Sequence, residues 1–163
     1  MKVYFLRHGI AVDGAAWNGS DFDRPLTREG SDRMEREAKA IEELSLDLNC
    51  IVTSPLIRAK QTAAIVAERL RMQATTFEDP RLGGGFNYER LGAILSAHAG
   101  AAALMLVGHE PSMSATIGRA IGDASVELKK AALAGIEIAD PSSPRGTLLF
   151  SIPPKVLVAL GKR

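Results

Sequence analysis

The sequence predicts an α/β fold, a single domain with a mostly parallel central sheet and helices on both faces. Short runs of apolar residues alternate with longer segments whose apolar residues recur at helical spacing, and no linker or repeat interrupts the alternation. The apolar runs contain almost no polar residues, which is typical of strands buried on both faces. With 163 residues, 46% of them hydrophobic, the chain is long enough to bury one sizeable core, so we expect one domain over residues 1–163.

The predicted elements follow one another closely along the chain. Apolar runs predict strands at residues 3–6, 50–53, 74–77, 102–107, 134–138 and 147–152. Helical periodicity predicts helices at residues 28–46, 56–70, 87–99 and 112–121. A side-chain oxygen just before or at the start of a helix can cap its free backbone N–H groups. Three of the predicted helices have a hydroxyl residue at that place, and we expect each to act as a cap: Thr27, Ser54 and Ser112.

Charge and cysteine content exclude several classes of protein. The 20 Lys and Arg residues nearly balance 19 Asp and Glu residues, so bulk charge favours neither a nucleic acid nor a membrane as partner. The single cysteine, Cys50, cannot form an internal disulfide, which is typical of a reducing compartment and predicts a cytoplasmic protein. The first apolar run is too short for a signal peptide, and no run approaches the ~20 residues of a membrane span.

Polar motifs follow three of the predicted strands where each strand ends. They are Arg7-His8-Gly9, the segment from Ser54 to Arg58, and Gly108-His109-Glu110. Because the carboxyl ends of parallel strands meet at one edge of a sheet, we expect these side chains to lie close together. Two arginines suit a phosphoryl group, since each guanidinium can donate to two oxygens and the two charges offset a phosphate dianion.

The two histidines suggest covalent phosphoryl transfer more than metal binding. A neutral imidazole can attack phosphorus to give a phosphohistidine that water then hydrolyses, while the second histidine donates a hydrogen bond or adds positive charge. Zinc is disfavoured because the neighbouring arginines oppose a dication and because neither motif contains a cysteine or a further histidine. Gly9 permits a tight turn and a close approach of substrate to the backbone. No metal and no cofactor is expected.

Three motifs carry a resemblance to a known family: Leu6-Arg7-His8-Gly9, residues 54–63, and Val107-Gly108-His109-Glu110-Pro111. Together they resemble the histidine phosphatase superfamily, also called the phosphoglycerate-mutase-like superfamily. The short chain and Arg24-Pro25-Leu26-Thr27 look most like its small SixA-type branch, whose members act as phosphohistidine phosphatases. The resemblance spans about residues 1–121. It implies that His8 is the nucleophile and that Arg7, Arg58 and His109 form the phosphate pocket.

The general acid is the position where the sequence departs from that family. Larger members place a carboxylate just after the third strand, and in this chain Arg81 stands in the comparable place, although arginine cannot protonate a leaving group near neutrality. Five carboxylates are alternative candidates: Asp13, Asp23, Glu78, Asp79 and Glu110. A phosphohistidine substrate would ease the difficulty, because a leaving imidazole needs less help from an acid than an alkoxide does.

The sequence therefore favours a metal-independent phosphatase whose substrate is phosphohistidine on a protein. Two alternatives stay open: a small-molecule phosphomonoesterase of the same fold, which needs a competent acid, and a non-catalytic phosphate-binding module. The expected partner is a phosphorylated protein or a small phosphorylated substrate. Trp17, in a polar loop, contacts a partner or packs over the domain, and packing is favoured.

Overall fold

The computed structural model describes residues 1–162 and contains a six-stranded sheet with five α-helices. The strands are β1 (Lys2–Arg7), β2 (Cys50–Thr53), β3 (Thr76–Glu78), β4 (Ala103–Gly108), β5 (Leu133–Ile138) and β6 (Gly146–Ile152). The helices are α1 (Arg28–Glu43), α2 (Ile57–Leu70), α3 (Tyr88–Ala97), α4 (Ser112–Ala120) and α5 (Pro154–Leu160). None of the helices in residues 1–162 has the length and apolar character needed to cross a membrane.

The strand order is β3-β2-β4-β1-β5-β6. The four strands from β3 to β1 run parallel, whereas β5 and β6 are antiparallel to their neighbours. In the register of β1 with β4, Arg7 pairs with Gly108. The residues that follow, His8 and His109, therefore leave the sheet side by side at one edge. The α/β class and the mostly parallel sheet predicted from the sequence are confirmed.

Helices cover both faces of the sheet, as predicted. On one face, the apolar residues of α3 and α4 pack against the strands around Phe5, Val52 and Leu106. On the other face, α1, α2 and α5 pack around Leu6, Ile51 and Met105. Burial on both faces explains why the central strands consist of uninterrupted apolar residues.

Some predicted boundaries are wrong for local reasons. Helix α1 ends at Glu43 and not at residue 46, because Ser45 adopts a positive φ of 48° that a right-handed helix cannot continue. The short third strand covers Thr76–Glu78, since residues Gln73–Thr75 form a 3-10 turn. The sequence does not predict helix α5, because its seven residues, which begin with the second of two prolines, are too few to show a helical period.

The capping predictions had mixed outcomes. Thr27 is confirmed, since its hydroxyl oxygen accepts a hydrogen bond from the N–H of Gly30 at 2.9 Å. Ser54 is not a helix cap, because α2 begins only at Ile57 and Ser54 lies fully buried before it. Ser112 is the first residue of α4, and its hydroxyl donates to the carbonyl oxygen of His109 at 3.0 Å instead of capping the helix.

Candidate active site

His8 and His109 lie together at the carboxyl edge of the sheet. Their ring centroids are 5.3 Å apart. Burial is the largest cause of a lowered pKa at His8, and the charges of His109, Arg58 and Arg7 act on the same ring and lower the pKa further. The structure therefore brings together the four side chains that the sequence motifs predict for the phosphate pocket.

The ring of His8 is buried and held by a hydrogen bond at Nδ1. Nδ1 lies 2.7 Å from the carbonyl oxygen of Gly9. Because a carbonyl oxygen only accepts, Nδ1 carries the proton and Nε2 keeps its lone pair. Burial lowers the pKa of His8 to about 3, so the imidazole is neutral near pH 7. A neutral imidazole with a free Nε2 lone pair is the form that can act as a nucleophile.

Gly9 connects His8 to helix α2. Its N–H donates to the hydroxyl oxygen of Thr62 at 3.0 Å, and the Thr62 hydroxyl donates to the carbonyl oxygen of Arg58 at 2.8 Å. A Cβ atom at Gly9 would come within 2.8 Å of Cγ of Met34, so a larger residue would require the Met34 side chain or the turn to shift. Thr62 is fully buried and links the His8 turn to the first turn of α2, where Arg58 lies.

Arg7 and Arg58 are each anchored through Nη1. Arg7 Nη1 donates to the carbonyl oxygen of Leu128 at 3.0 Å, and Arg58 Nη1 donates to the carbonyl oxygen of Asp21 at 2.7 Å. In both residues Nε is buried without a hydrogen-bond partner among residues 1–162. Both guanidinium groups are thus fixed in position while keeping a donor that the protein does not use.

Asp21 is a site residue that the sequence reasoning missed. Its Oδ2 lies 3.0 Å from Nη2 of Arg58, and its Oδ1 accepts from Nε of Arg24 at 2.9 Å. The hydrogen bonds from Arg24 and Arg58 lower the pKa of the Asp21 carboxyl group, so it is ionised near neutrality. The only signal in the sequence was its place in the polar loop before Arg24, which it shares with Asp23.

His109 is bound through its other ring nitrogen. Its Nε2 lies 2.7 Å from the hydroxyl oxygen of Ser54, and its Nδ1 is buried without a partner in the described residues. Burial, reinforced by the charge of Arg58, lowers the pKa of His109 to about 4. His109 is therefore neutral near pH 7 in the protein without substrate, a form that can take part in hydrogen bonds but adds no positive charge.

Buried nitrogens without a partner are concentrated at this site. Across residues 1–162, four buried side-chain nitrogens lack a hydrogen-bond partner, and three of them belong to Arg7, Arg58 and His109. Buried polar groups in proteins are nearly always hydrogen-bonded, so three such nitrogens beside His8 indicate a site that can bind a polar ligand. Two of the three are guanidinium nitrogens, and the chemistry of that donor set fits a tetrahedral oxyanion.

The carboxylates proposed as general acids have other partners. Asp79 binds Arg81, whose Nη2 lies 2.6 Å from Oδ2, and this hydrogen bond lowers the pKa of Asp79. Glu110 accepts from the N–H and the hydroxyl of Ser114. The remaining three are also engaged: Glu78 by Lys60, Asp13 by the N–H of Ala15 and Asp23 by the hydroxyl of Ser20.

Two further observations concern groups outside the pocket. Trp17 is partly buried, and its Nε1 donates to the carbonyl oxygen of Ser20 at 2.9 Å, within the same polar loop. No group of three or more His, Cys, Asp or Glu side chains in the described part of the chain is arranged to hold a metal ion.

Comparisons with known families and proteins agree with this geometry. The family model of the histidine phosphatase superfamily (branch 1) matches residues 3–82. The chain is 40% identical over 119 residues to an uncharacterized protein of Picosynechococcus sp., covering 69% of this chain and 68% of that protein. It is 30% identical over 113 residues to the phosphohistidine phosphatase SixA of Escherichia coli (strain K12), covering 68% of each.

A solved structure is similar over nearly the whole chain. It is the structure of the protein histidine phosphatase SixA complexed with tungstate, which superposes with a TM-score of 0.85 at 26% sequence identity. The superposition covers 96% of this chain and 99% of that one.

Proposed function

This chain belongs to the histidine phosphatase superfamily, and from that membership we propose that it is a metal-independent phosphatase that forms a phosphohistidine at His8. The observation that carries the proposal is the unprotonated Nε2 of His8 beside three buried nitrogens, on Arg7, Arg58 and His109, that have no hydrogen-bond partner among residues 1–162. A tetrahedral oxyanion fits such a set of donors, and the similar SixA structure is complexed with tungstate, which is such an anion.

The first step forms one bond and breaks one bond at phosphorus. The lone pair on Nε2 of His8 attacks the phosphorus atom while the bond from phosphorus to the leaving nitrogen of the substrate breaks. The leaving imidazole keeps that electron pair and takes a proton from water. Arg7, Arg58 and His109 donate to the phosphoryl oxygens on which negative charge builds during the transfer.

The second step restores the protein. A water molecule attacks the phosphorus of phospho-His8, and the electron pair of the broken bond returns to Nε2. The product leaves as dihydrogen phosphate, and one of its protons neutralises the hydroxide that remains from the first step. The hydrogen bond from Nδ1 to the carbonyl oxygen of Gly9 holds the ring in one orientation through both steps. The fixed orientation supports attack by the same nitrogen in every cycle.

We infer that the substrate is phosphohistidine on a protein. Each of the five carboxylates considered as acids is bound to another group, and the hydrogen bond from Arg81 also lowers the pKa of Asp79, so the proposal assigns the reaction no general acid. The departure of an imidazole depends less on a general acid than the departure of an alkoxide does. The 30% identity to a phosphohistidine phosphatase supports the same substrate class.

A labelling experiment tests the proposal. A protein phosphorylated on histidine with radioactive phosphate is mixed with the enzyme, quenched within milliseconds in alkali and separated on an alkaline gel. We expect transient label on the enzyme that is stable to alkali and labile to acid, and no label on His8→Ala. His98→Ala is the matched control, because His98 is the histidine outside the site.

Each part of the proposal has a result that would contradict it. Label on His8→Ala, or retention of more than roughly 1% of the turnover rate in that variant, would contradict covalent catalysis through His8. Loss of activity in a chelator with recovery on adding a divalent ion would contradict metal independence. Equal turnover of alkyl phosphates and protein phosphohistidine would favour a small-molecule phosphomonoesterase.

A further inference from the structure

Ser54 contacts the catalytic site through His109. It is fully buried directly after strand β2, and its backbone N–H donates to the carbonyl oxygen of Val107 at 2.9 Å. This bond extends the pairing of β2 with β4 by one residue and places the Ser54 side chain beside the residues that follow β4. Its hydroxyl oxygen lies 2.7 Å from Nε2 of His109.

Hydrogen bonding at Ser54 decides which nitrogen of His109 carries the proton. A serine hydroxyl has one proton to donate and two lone pairs to accept with. Its oxygen already accepts from the N–H of Leu56 at 3.2 Å, and His109 Nε2 is the one acceptor that the structure places within reach of the hydroxyl proton among residues 1–162. If Ser54 donates to Nε2, the ring proton of His109 lies on Nδ1.

The opposite arrangement would leave two buried groups unsatisfied. With the ring proton on Nε2, His109 would donate to Ser54 and the buried hydroxyl proton would have no acceptor. The Nδ1 atom, which has no partner in the described residues, would then present a lone pair to an anionic substrate. Buried unsatisfied groups and repulsion between two lone pairs both disfavour this arrangement.

We propose that Ser54 is a positioning residue that holds neutral His109 in its Nδ1–H form, so that Nδ1 is a donor for the phosphoryl group. The proposal rests on the proposed function, because it assigns a step of that reaction to the His109 donor. Among residues 1–162 the Ser54 hydroxyl is hydrogen-bonded to Leu56 and His109 and not to His8. Its action on catalysis passes through the imidazole of His109.

Nitrogen NMR of the imidazoles tests the proposal without substrate. The chain has only three histidines, His8, His98 and His109, so the long-range ¹H–¹⁵N spectrum of the labelled protein is simple to assign with single substitutions. We expect the wild-type His109 to show a protonated Nδ1 and an unprotonated Nε2. In Ser54→Ala we expect a population with the proton on Nε2 to appear.

Ser112→Ala is the matched control. The Ser112 hydroxyl also contacts His109, but at the backbone carbonyl oxygen and not at the ring. We expect this variant to keep the wild-type proton on Nδ1. Ser54→Cys, which keeps a weak donor at nearly the same size, should retain more of the Nδ1–H form than Ser54→Ala does.

The rate measurement connects the ring proton to catalysis. We expect Ser54→Ala to lower kcat for formation of phospho-His8 by about tenfold to a hundredfold, with a smaller change in KM. The reason is that fewer molecules then have the Nδ1–H of His109 available to donate to the phosphoryl oxygens, on which negative charge builds in the transition state. Ser112→Ala should stay within about twofold of wild type. Thermal unfolding of each variant shows whether it is folded.

Several outcomes would overturn the proposal. These are a wild-type His109 protonated on Nε2, an unchanged tautomer in folded Ser54→Ala, and a changed tautomer with a rate within twofold of wild type. If Ser54→Ala does not fold, the wild-type spectrum and Ser54→Cys still decide. A wild-type protein without phosphatase activity would overturn the proposed function instead, while the spectra would still show whether Ser54 controls the ring.

Discussion

Asp21 holds the guanidinium group of Arg58 at two points. Its backbone carbonyl oxygen accepts from Nη1 at 2.7 Å, and its carboxylate Oδ2 lies 3.0 Å from Nη2. The Asp21 side chain is 64% exposed, whereas that of Arg58 is only 7% exposed. An exposed loop residue therefore orients a buried arginine, whose Nε has no hydrogen-bond partner among residues 1–162.

The first prediction concerns this contact. Asp21→Ala should weaken binding of inorganic phosphate and lower kcat/KM by roughly tenfold, because Arg58 loses one of the two bonds that orient it. Competitive inhibition by phosphate measures the change. Asp23→Ala is the control, since the Asp23 carboxylate contacts Ser20 and not Arg58. Tighter phosphate binding in Asp21→Ala would show instead that Asp21 competes with the substrate for Arg58.

The second prediction concerns the low pKa values of the two site histidines. Burial lowers the pKa of His8 to about 3 and that of His109 to about 4, so both rings should stay neutral from pH 8 to about pH 5. NMR titration should show their imidazole signals unmoved across the range in which free histidine titrates, near pH 6.5. An inflection near pH 6.5 for either ring would contradict the buried, neutral site.

The same shift has a consequence for stability. An unfolded chain binds a proton on each histidine near pH 6.5, whereas the folded chain does not, so lowering the pH through this value favours unfolding. At pH 5.5 the effect should be about 1.4 kcal/mol for each of the two residues. Urea unfolding should show that His8→Asn loses less stability than wild type between pH 7.5 and 5.5.

The third prediction concerns the leaving group. Because the nearby carboxylates are bound to other groups, the rate on aryl phosphates should rise steeply as the leaving phenol becomes more acidic. Asp79→Asn and Glu110→Gln should keep phosphohistidine turnover within about tenfold of wild type, which is roughly 1.4 kcal/mol of barrier. A hundredfold loss in either variant would identify that carboxylate as the general acid.

The fourth prediction concerns Glu37, a buried carboxyl group of α1. Neither of its oxygens has a hydrogen-bond partner in residues 1–162, and the nearest cation atom, Nη2 of Arg33, is 4.0 Å away. Burial raises the pKa of Glu37 to about 8. The folded state therefore holds a proton that the unfolded state releases near pH 4.5, so this residue destabilises the fold increasingly as the pH rises from 4.5 towards 8.

Replacing the carboxyl group with an amide should remove that dependence. Relative to wild type, Glu37→Gln should gain about 2 kcal/mol in the free energy of unfolding between pH 5 and pH 7. Urea unfolding at the two pH values measures this difference. Glu43→Gln, at an exposed position of the same helix, is the control and should show little change. An equal effect of both substitutions would mean that Glu37 is ionised in the folded protein.

The sequence by itself determined the class of fold and the convergence of the site motifs. Strands buried on both faces need uninterrupted apolar residues, and that requirement is visible locally at residues 3–6 and 50–53. In a parallel sheet, the residue that follows each strand lies at the edge where the carboxyl ends of the strands meet. For this reason the positions of Arg7, His8 and His109 at one edge could be predicted without a structure.

Only the tertiary structure decided how those side chains are held. Asp21 is 37 residues from Arg58 in sequence, and Ser54 is 55 residues from His109. Neither contact follows from local periodicity, because each depends on where a loop or a strand end lies against a distant element. The helix cap predicted at Ser54 is wrong for the same physical reason. Residue type indicates which groups a side chain can bond to, whereas only the folded chain places one of them, here Nε2 of His109, within 3 Å of the Ser54 hydroxyl oxygen.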